Sequence, residues 1–238
     1  MSDWARGVAG GILLLANFVA ILALAASPYF GLLTAFMISG ALTYLVILIH
    51  ELGHAGAVWW LRGRVLIFAV GPLAACFHPF SLGRTPGLAQ DDRELGGFVV
   101  STFDGAETTR KDIIVAIAGP LANLASAVLI GVALLTLAPG NAPAAHPTLI
   151  AVEQSVPSNA PYQVALPTDA DVQRALRAER AREIKGLWTP LVSALLLLSG
   201  AAGIANLIPF RGSDGDHIRR ALRDMGEVRR YRRRRDAG

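Results

Sequence analysis

From Arg6 to His50 the chain carries no charged side chain, and this run constrains the fold more than any other feature. It is long enough to cross a ~30 Å hydrocarbon layer twice at ~20 residues per crossing. Ser27-Pro28-Tyr29-Phe30-Gly31 interrupts it with the composition of a turn, which divides it into a hairpin of spans over 8–26 and 32–58. Two further uncharged runs, Ile113 to Ala138 and Leu187 to Phe210, predict spans over 113–138 and 187–210. The expected fold is an all-α polytopic membrane protein with about four transmembrane helices and a small membrane-associated β-hairpin or sheet between the second and third. A cleaved signal peptide is the alternative for the first run, because Arg6 precedes it and Ala23-Leu24-Ala25 fits a small-x-small cleavage site. With 53% hydrophobic and 17% charged residues, the chain is neither an ordinary soluble domain nor a disordered one.

The basic residues set the orientation. Arg62, Arg64, Arg84, Arg93, Arg110 and Lys111 lie between the second and third spans, and Arg211, Arg219, Arg220, Arg223, Arg229, Arg230 and Arg232 to Arg235 follow the fourth. By the positive-inside rule both segments are cytoplasmic, which predicts a multi-pass inner-membrane protein with its functional end toward the cytoplasm. The connection over 140–185 is then external. Its Arg174, Arg177, Arg180, Arg182 and Lys185 run against the rule, interleaved with Asp169, Asp171, Glu179 and Glu183. It opens with six prolines between Pro139 and Pro167, and Thr168 with Asp171 reads as a capping box for a helix whose apolar side is Val172, Ala175, Leu176 and Ile184. The cytoplasmic insertion over 62–111 holds two β-like stretches, Val65 to Val70 and Phe98 to Phe103, and its uncharged first half, Val65 to Phe80, is expected to dip into the bilayer edge. The expected organisation is a membrane-embedded domain over 1–217 and a basic cytoplasmic tail over 218–238. The tail suits anionic lipid better than nucleic acid, and no nucleic-acid partner is expected.

The chemistry concentrates in two places. His50-Glu51-Leu52-Gly53-His54, at the inner end of the second span, is an H-E-x-x-H sequence. On a helix its two imidazoles share a face and can reach one Zn²⁺, with Glu51 beside the water. Ionisable residues in an apolar helix are costly and point to function; the alternative is two interfacial histidines facing water. The single cysteine, Cys76, leaves no Cys-based zinc site, so a third ligand has to be another histidine or a carboxylate. Asn206-Leu207-Ile208-Pro209-Phe210-Arg211-Gly212-Ser213-Asp214-Gly215-Asp216-His217 emerges from the fourth span on the same face. Asp214 is the expected third ligand and Asp216 the reserve, with His217 assigned to second-sphere support or the helix end. An Asp-Gly turn ending a helix is the bland alternative. Cys76 and His78 can either cap the metal in a latent state or lie inert. Trp59 and Trp60 suit an interfacial anchor, and Ala125, Ser126 and Gly131 suit close helix packing.

Together with Ala118-Gly119-Pro120-Leu121-Ala122-Asn123 in the third span and Gly96-Gly97-Phe98-Val99 before it, these motifs resemble the site-2 protease family of intramembrane zinc metalloproteases, from about Leu32 to His217. The resemblance implies that His50, His54 and Asp214 bind zinc, that Glu51 is the catalytic carboxylate, and that Asn123 and Asn206 help hold the substrate or the developing oxyanion. It implies a hydrolase of regulated intramembrane proteolysis, acting in the lipid bilayer on membrane proteins with a transmembrane segment. It also implies that the stretch from Gly97 to Phe103 can hold an unwound substrate by strand addition; an ordinary packed hairpin is the alternative. The chain departs from the family pattern at Arg211-Gly212-Ser213, where a more apolar run is usual, and at Asp216, where a second glycine is common. A divalent-metal transporter and a non-catalytic scaffold for membrane helices remain the competing functions. A transporter calls for polar groups across the bilayer, and a scaffold has no use for Glu51.

Overall fold

The computed structural model describes residues 2–77, 80–84, 96–103, 108–137 and 169–235. The proline-rich segment, the Thr168 capping box, His78 and Arg93 lie outside them. Five helices, α1 (Ser2–Ala25), α2 (Leu32–Trp60), α3 (Thr108–Leu137), α4 (Asp169–Leu207) and α5 (Asp214–Arg235), accompany four strands, β1 (Arg64–Val70), β2 (Leu73–Phe77), β3 (Phe80–Arg84) and β4 (Gly97–Thr102). The helices α1 to α4 are long and apolar enough to cross a membrane, and the chain is a multi-pass membrane protein. The fourth span is longer than its uncharged run: α4 begins in the charged stretch at Asp169 and continues unbroken through Pro190. Val172, Leu176 and Ile184 are exposed on it.

The bundle is built as lipid solvent requires. With hydrocarbon outside there is no hydrophobic drive between helices, so backbones approach through small residues and large apolar side chains face outward. Ala16, Ala20 and Leu24 of α1 pack with Ala35 and Val46 of α2 and with Ala194, Leu198, Ala201 and Ala202 of α4. Leu14, Leu129 and Leu135 are exposed instead. Gly203 lets α4 lie against Leu124 and the Pro120 carbonyl of α3, while Gly131 comes close to Leu196; Ala125 faces outward. Polar contact adds to packing: the Asn17 amide oxygen accepts hydrogen bonds from Ser39 (3.2 Å) and Thr43 (3.0 Å), tying α1 to α2. Such interhelical bonds contribute about 0.6–2 kcal/mol each.

The sheet has the order β3-β2-β1-β4, all antiparallel. β1 and β4 follow the two β-like stretches of the sequence; β2 lies with β1 in the run expected to dip into the bilayer edge, and β3 begins at its last residue, Phe80. That run alternates poorly, but Gly71-Pro72 supplies a two-residue hairpin loop between Val70 and Leu73, with Gly71 at φ +56°, the left-handed conformation such loops need. The sheet meets the end of α2 and the start of α3 through Val65, Phe68, Val99 and Phe103, packed on Ala55, Val58 and Val115. β4 is an outer strand, paired only with β1 among the described strands.

Candidate metal centre

Near its C-terminal end α2 buries three ionisable residues, His50, Glu51 and His54. The four-residue spacing stacks both imidazoles on one face, with ring centroids 4.7 Å apart and planes nearly perpendicular. Their Nε2 atoms are 3.1 Å apart. Asp214, the first residue of α5, brings one carboxylate oxygen to 2.9 Å from the Nε2 of His50 and the other to 3.3 Å from that of His54. Two nitrogens bound tetrahedrally at ~2.0–2.1 Å lie roughly 3.3 Å apart, so the spacing matches three ligand atoms around one cation. Burial pushes the Asp214 carboxyl up, but hydrogen bonds to His50 and His54 outweigh it and hold the group at about 2, an anion available as a ligand.

The surroundings test whether the set fits a metal. The Nδ1 of His54 lies 2.7 Å from the Val115 carbonyl of α3. A carbonyl only accepts, so Nδ1 carries the proton and the Nε2 lone pair points at the shared centre. Behind His50, the fully buried Asn123 puts its amide nitrogen 3.2 Å from Nδ1, while its Oδ1 has no partner. Exchanging the two amide atoms, whose assignment follows from their bonding, gives the orphan oxygen the Nδ1–H and frees the second Nε2 lone pair. Protons on Nε2 can bridge to Asp214, but once they are lost two lone pairs and a carboxylate converge and repel. A cation resolves it, and a His₂-carboxylate set with room for water suits zinc.

Glycines make room for this cluster. A Cβ on Gly119 would collide with both imidazoles, so α3 can lie against them only with glycine there. On Gly97 a Cβ would come 2.7 Å from Glu51 Cγ and 2.9 Å from Cδ, so the first residue of β4 lies directly on that carboxylate. Gly53 lets α2 approach the Ala118 carbonyl and Ala122 of α3. A cleft of about 520 Å³ opens between α1 and α2, lined by Phe18, Phe36, Thr43, Tyr44 and Ile47 together with Gly71 and Gly96. Its last α2 residue, Ile47, is one turn before Glu51.

The structure thus brings His50, His54 and Asp214 together, the one group of three such residues able to hold a metal among the described residues. Asp216 does not join them. It is buried and paired with Arg219 and Arg220; burial pushes its carboxyl up, and the two guanidiniums more than offset that and hold it below the usual carboxylate range. Asn206, half-buried in the last turn of α4, takes no part in the hydrogen bonds of the cluster described above. His217 is exposed, and Cys76 sits half-buried on β2 opposite Ile67. Sequence reasoning missed Val115, whose backbone carbonyl leaves no trace in residue type. It also missed Ser213, although Ser-x-x-Asp ahead of a helix is a readable cap.

No curated protein and no solved structure matches the chain. The model of Peptidase family M50 matches residues 37–237, a range that takes in all three ligand candidates, Glu51, the sheet and the Asn123 helix. Four apolar helices, a small sheet between the second and third, and a buried His₂-carboxylate cluster therefore belong to a member of peptidase family M50, the site-2 protease family.

Proposed function

We propose that the chain is a zinc endopeptidase that hydrolyses peptide bonds in or near transmembrane segments of other membrane proteins, with its active site toward the cytoplasm. The observation that carries this reading is the convergence of two Nε2 atoms and a carboxylate at 2.9–3.3 Å, with a fourth ionisable residue, Glu51, buried beside them. His50, His54 and Asp214 hold the zinc, and Asn123 and the Val115 carbonyl orient the two imidazoles. On this reading Asn123 acts on His50 and not on the substrate, since it is sealed behind that ring.

A zinc ion held there acidifies water and polarises the scissile carbonyl. Glu51 takes a proton from the attacking water as oxygen bonds to the carbonyl carbon, then passes it to the amide nitrogen as the C–N bond breaks; the remaining water proton goes from the new carboxyl group to the amine, leaving a carboxylate and an ammonium. A substrate helix hides its carbonyls in its own hydrogen bonds, so it must unwind before attack. The cleft between α1 and α2 can admit an apolar segment, and the outer edge of β4, unpaired among the described strands, can pair with the unwound strand. The basic segments flanking the spans support a cytoplasmic position for this end.

The test is purified wild type against Glu51→Gln, measuring bound zinc and cleavage of a panel of single-span substrates. Zinc is expected in both proteins, with cleavage in the mutant lower by about 10²–10⁴-fold. Equal cleavage would reject Glu51 as the base, and metal transport without proteolysis would reject the peptidase reading.

A further inference from the structure

Between α4 and α5 the chain makes a tight loop in which backbone hydrogen bonds are joined by four contacts to one buried hydroxyl. Ser213 is 2% exposed. Its Oγ accepts from the Phe210 N–H at 3.0 Å and the Asp216 N–H at 3.2 Å, and lies 2.8 Å from both the Ile208 and Phe210 carbonyls, to either of which it donates. It is therefore the N-cap of α5 and, at the same time, the clasp of the loop that leaves α4 at Pro209. Gly212 at φ +88° allows the reversal, and Gly215 lies so close to the Leu207 carbonyl that a Cβ would collide with it. Three residues into α5, Asp216 is buried and gripped by Arg219 and Arg220 from the following turn. Asp214 stands between these two anchors.

Resting on the zinc reading above, we infer that Ser213 and Asp216 are positioning residues that hold the Asp214 carboxylate at the metal centre. The physical reason lies in where the third ligand sits. His50 and His54 sit more than a turn inside a long helix, whereas Asp214 is the first residue of α5, where a helix frays unless it is capped. The Ser213 hydroxyl takes a second share of the Asp216 N–H, which also donates to the Ser213 carbonyl, and ties this turn back to α4. Asp216, an acid in the first turn with two guanidiniums a turn later, stops that turn from unwinding. Neither residue touches the metal, so both act through Asp214.

The experiment uses the full-length protein in detergent and measures zinc affinity by chelator competition and the visible spectrum after cobalt substitution, for Ser213→Ala, Ser213→Thr, Asp216→Asn and Asp214→Ala. Ser213→Ala and Asp216→Asn are expected to bind zinc about 10–100-fold more weakly, the range for partners that orient a ligand. Their cobalt spectra should shift toward that of Asp214→Ala, while Ser213→Thr keeps affinity and spectrum near wild type because its hydroxyl can still cap. A general loss of stability would not move the cobalt bands of the folded fraction. Wild-type affinity and spectrum in both Ser213→Ala and Asp216→Asn would overturn the inference. If Ser213→Ala does not fold, Asp216→Asn decides alone. Unchanged affinity in Asp214→Ala would instead overturn the zinc ligand set, a separate failure.

Discussion

Along α2, the first turns put Leu33, Phe36 and Met37 on the outside, 61–76% exposed, while the turns around His50, Glu51 and His54 leave those residues only 5–8% exposed. In water the two ends would be exchanged. Here large apolar side chains meet lipid at little cost, and ionisable groups are the ones that need protein around them. The glycines mark the contact face. Gly40 and Gly56 of α2 have open space where a Cβ would be, whereas Gly53, and Gly97 and Gly119 packed on the helix, have none. One helix is thus packed through small residues such as Ala35 and Ser39 at one end and around a cluster of ionisable groups at the other, with glycines of the neighbouring elements making room for the second.

The sharpest way to break that contrast is to remove a ligand from the chemical end. His54→Ala is expected to abolish stoichiometric zinc, read by metal analysis of the purified protein, and to leave cleavage at background. Next come the two glycine contacts, which separate metal binding from catalysis. Gly119→Val should displace both imidazoles and lose zinc, whereas Gly97→Val should keep zinc but displace Glu51 and lower the cleavage rate by about 10²-fold, as a ~1 Å misplacement can. Asn123→Leu removes the partner of His50 and should weaken zinc binding by about 10–100-fold in chelator competition. At the scaffold end effects are smaller and turn on volume. Ala20→Leu, at a fully buried contact, should cost about 1–3 kcal/mol in detergent unfolding, while Leu33→Ala should stay within about 0.5 kcal/mol.

Much of the scaffold was legible because charge is so expensive in hydrocarbon that uncharged runs mark the spans almost directly. The ends were less so: α4 starts well before Leu187, since a helix can continue into a charged segment outside the bilayer without any change of hydrogen bonding. β2 was hidden in a run too short to span and too irregular to alternate, where only Gly71-Pro72 hints at a hairpin, and β3 starts where that run ends. At the site, His50, Glu51 and His54 were readable from their spacing, and Asp214 from the face on which the fourth span ends. The supporting contacts were not. The Val115 carbonyl belongs to the backbone, and the burial of Asn123 behind His50 depends on how α3 is rotated, which its sequence alone leaves open. Asp216 read as a spare ligand because carboxylate chemistry fits either use; the arginines one turn on, Arg219 and Arg220, decide between them.

The central claim is that one metal ion is shared by α2 and the start of α5. Zinc X-ray absorption on the purified wild type and on Asp214→Ala tests it most directly. The account predicts one zinc per chain bound by two imidazole nitrogens and a carboxylate oxygen, with the carboxylate contribution lost and affinity sharply lowered in the mutant. A wild-type spectrum without two imidazoles, or an Asp214→Ala spectrum and affinity indistinguishable from wild type, would contradict it.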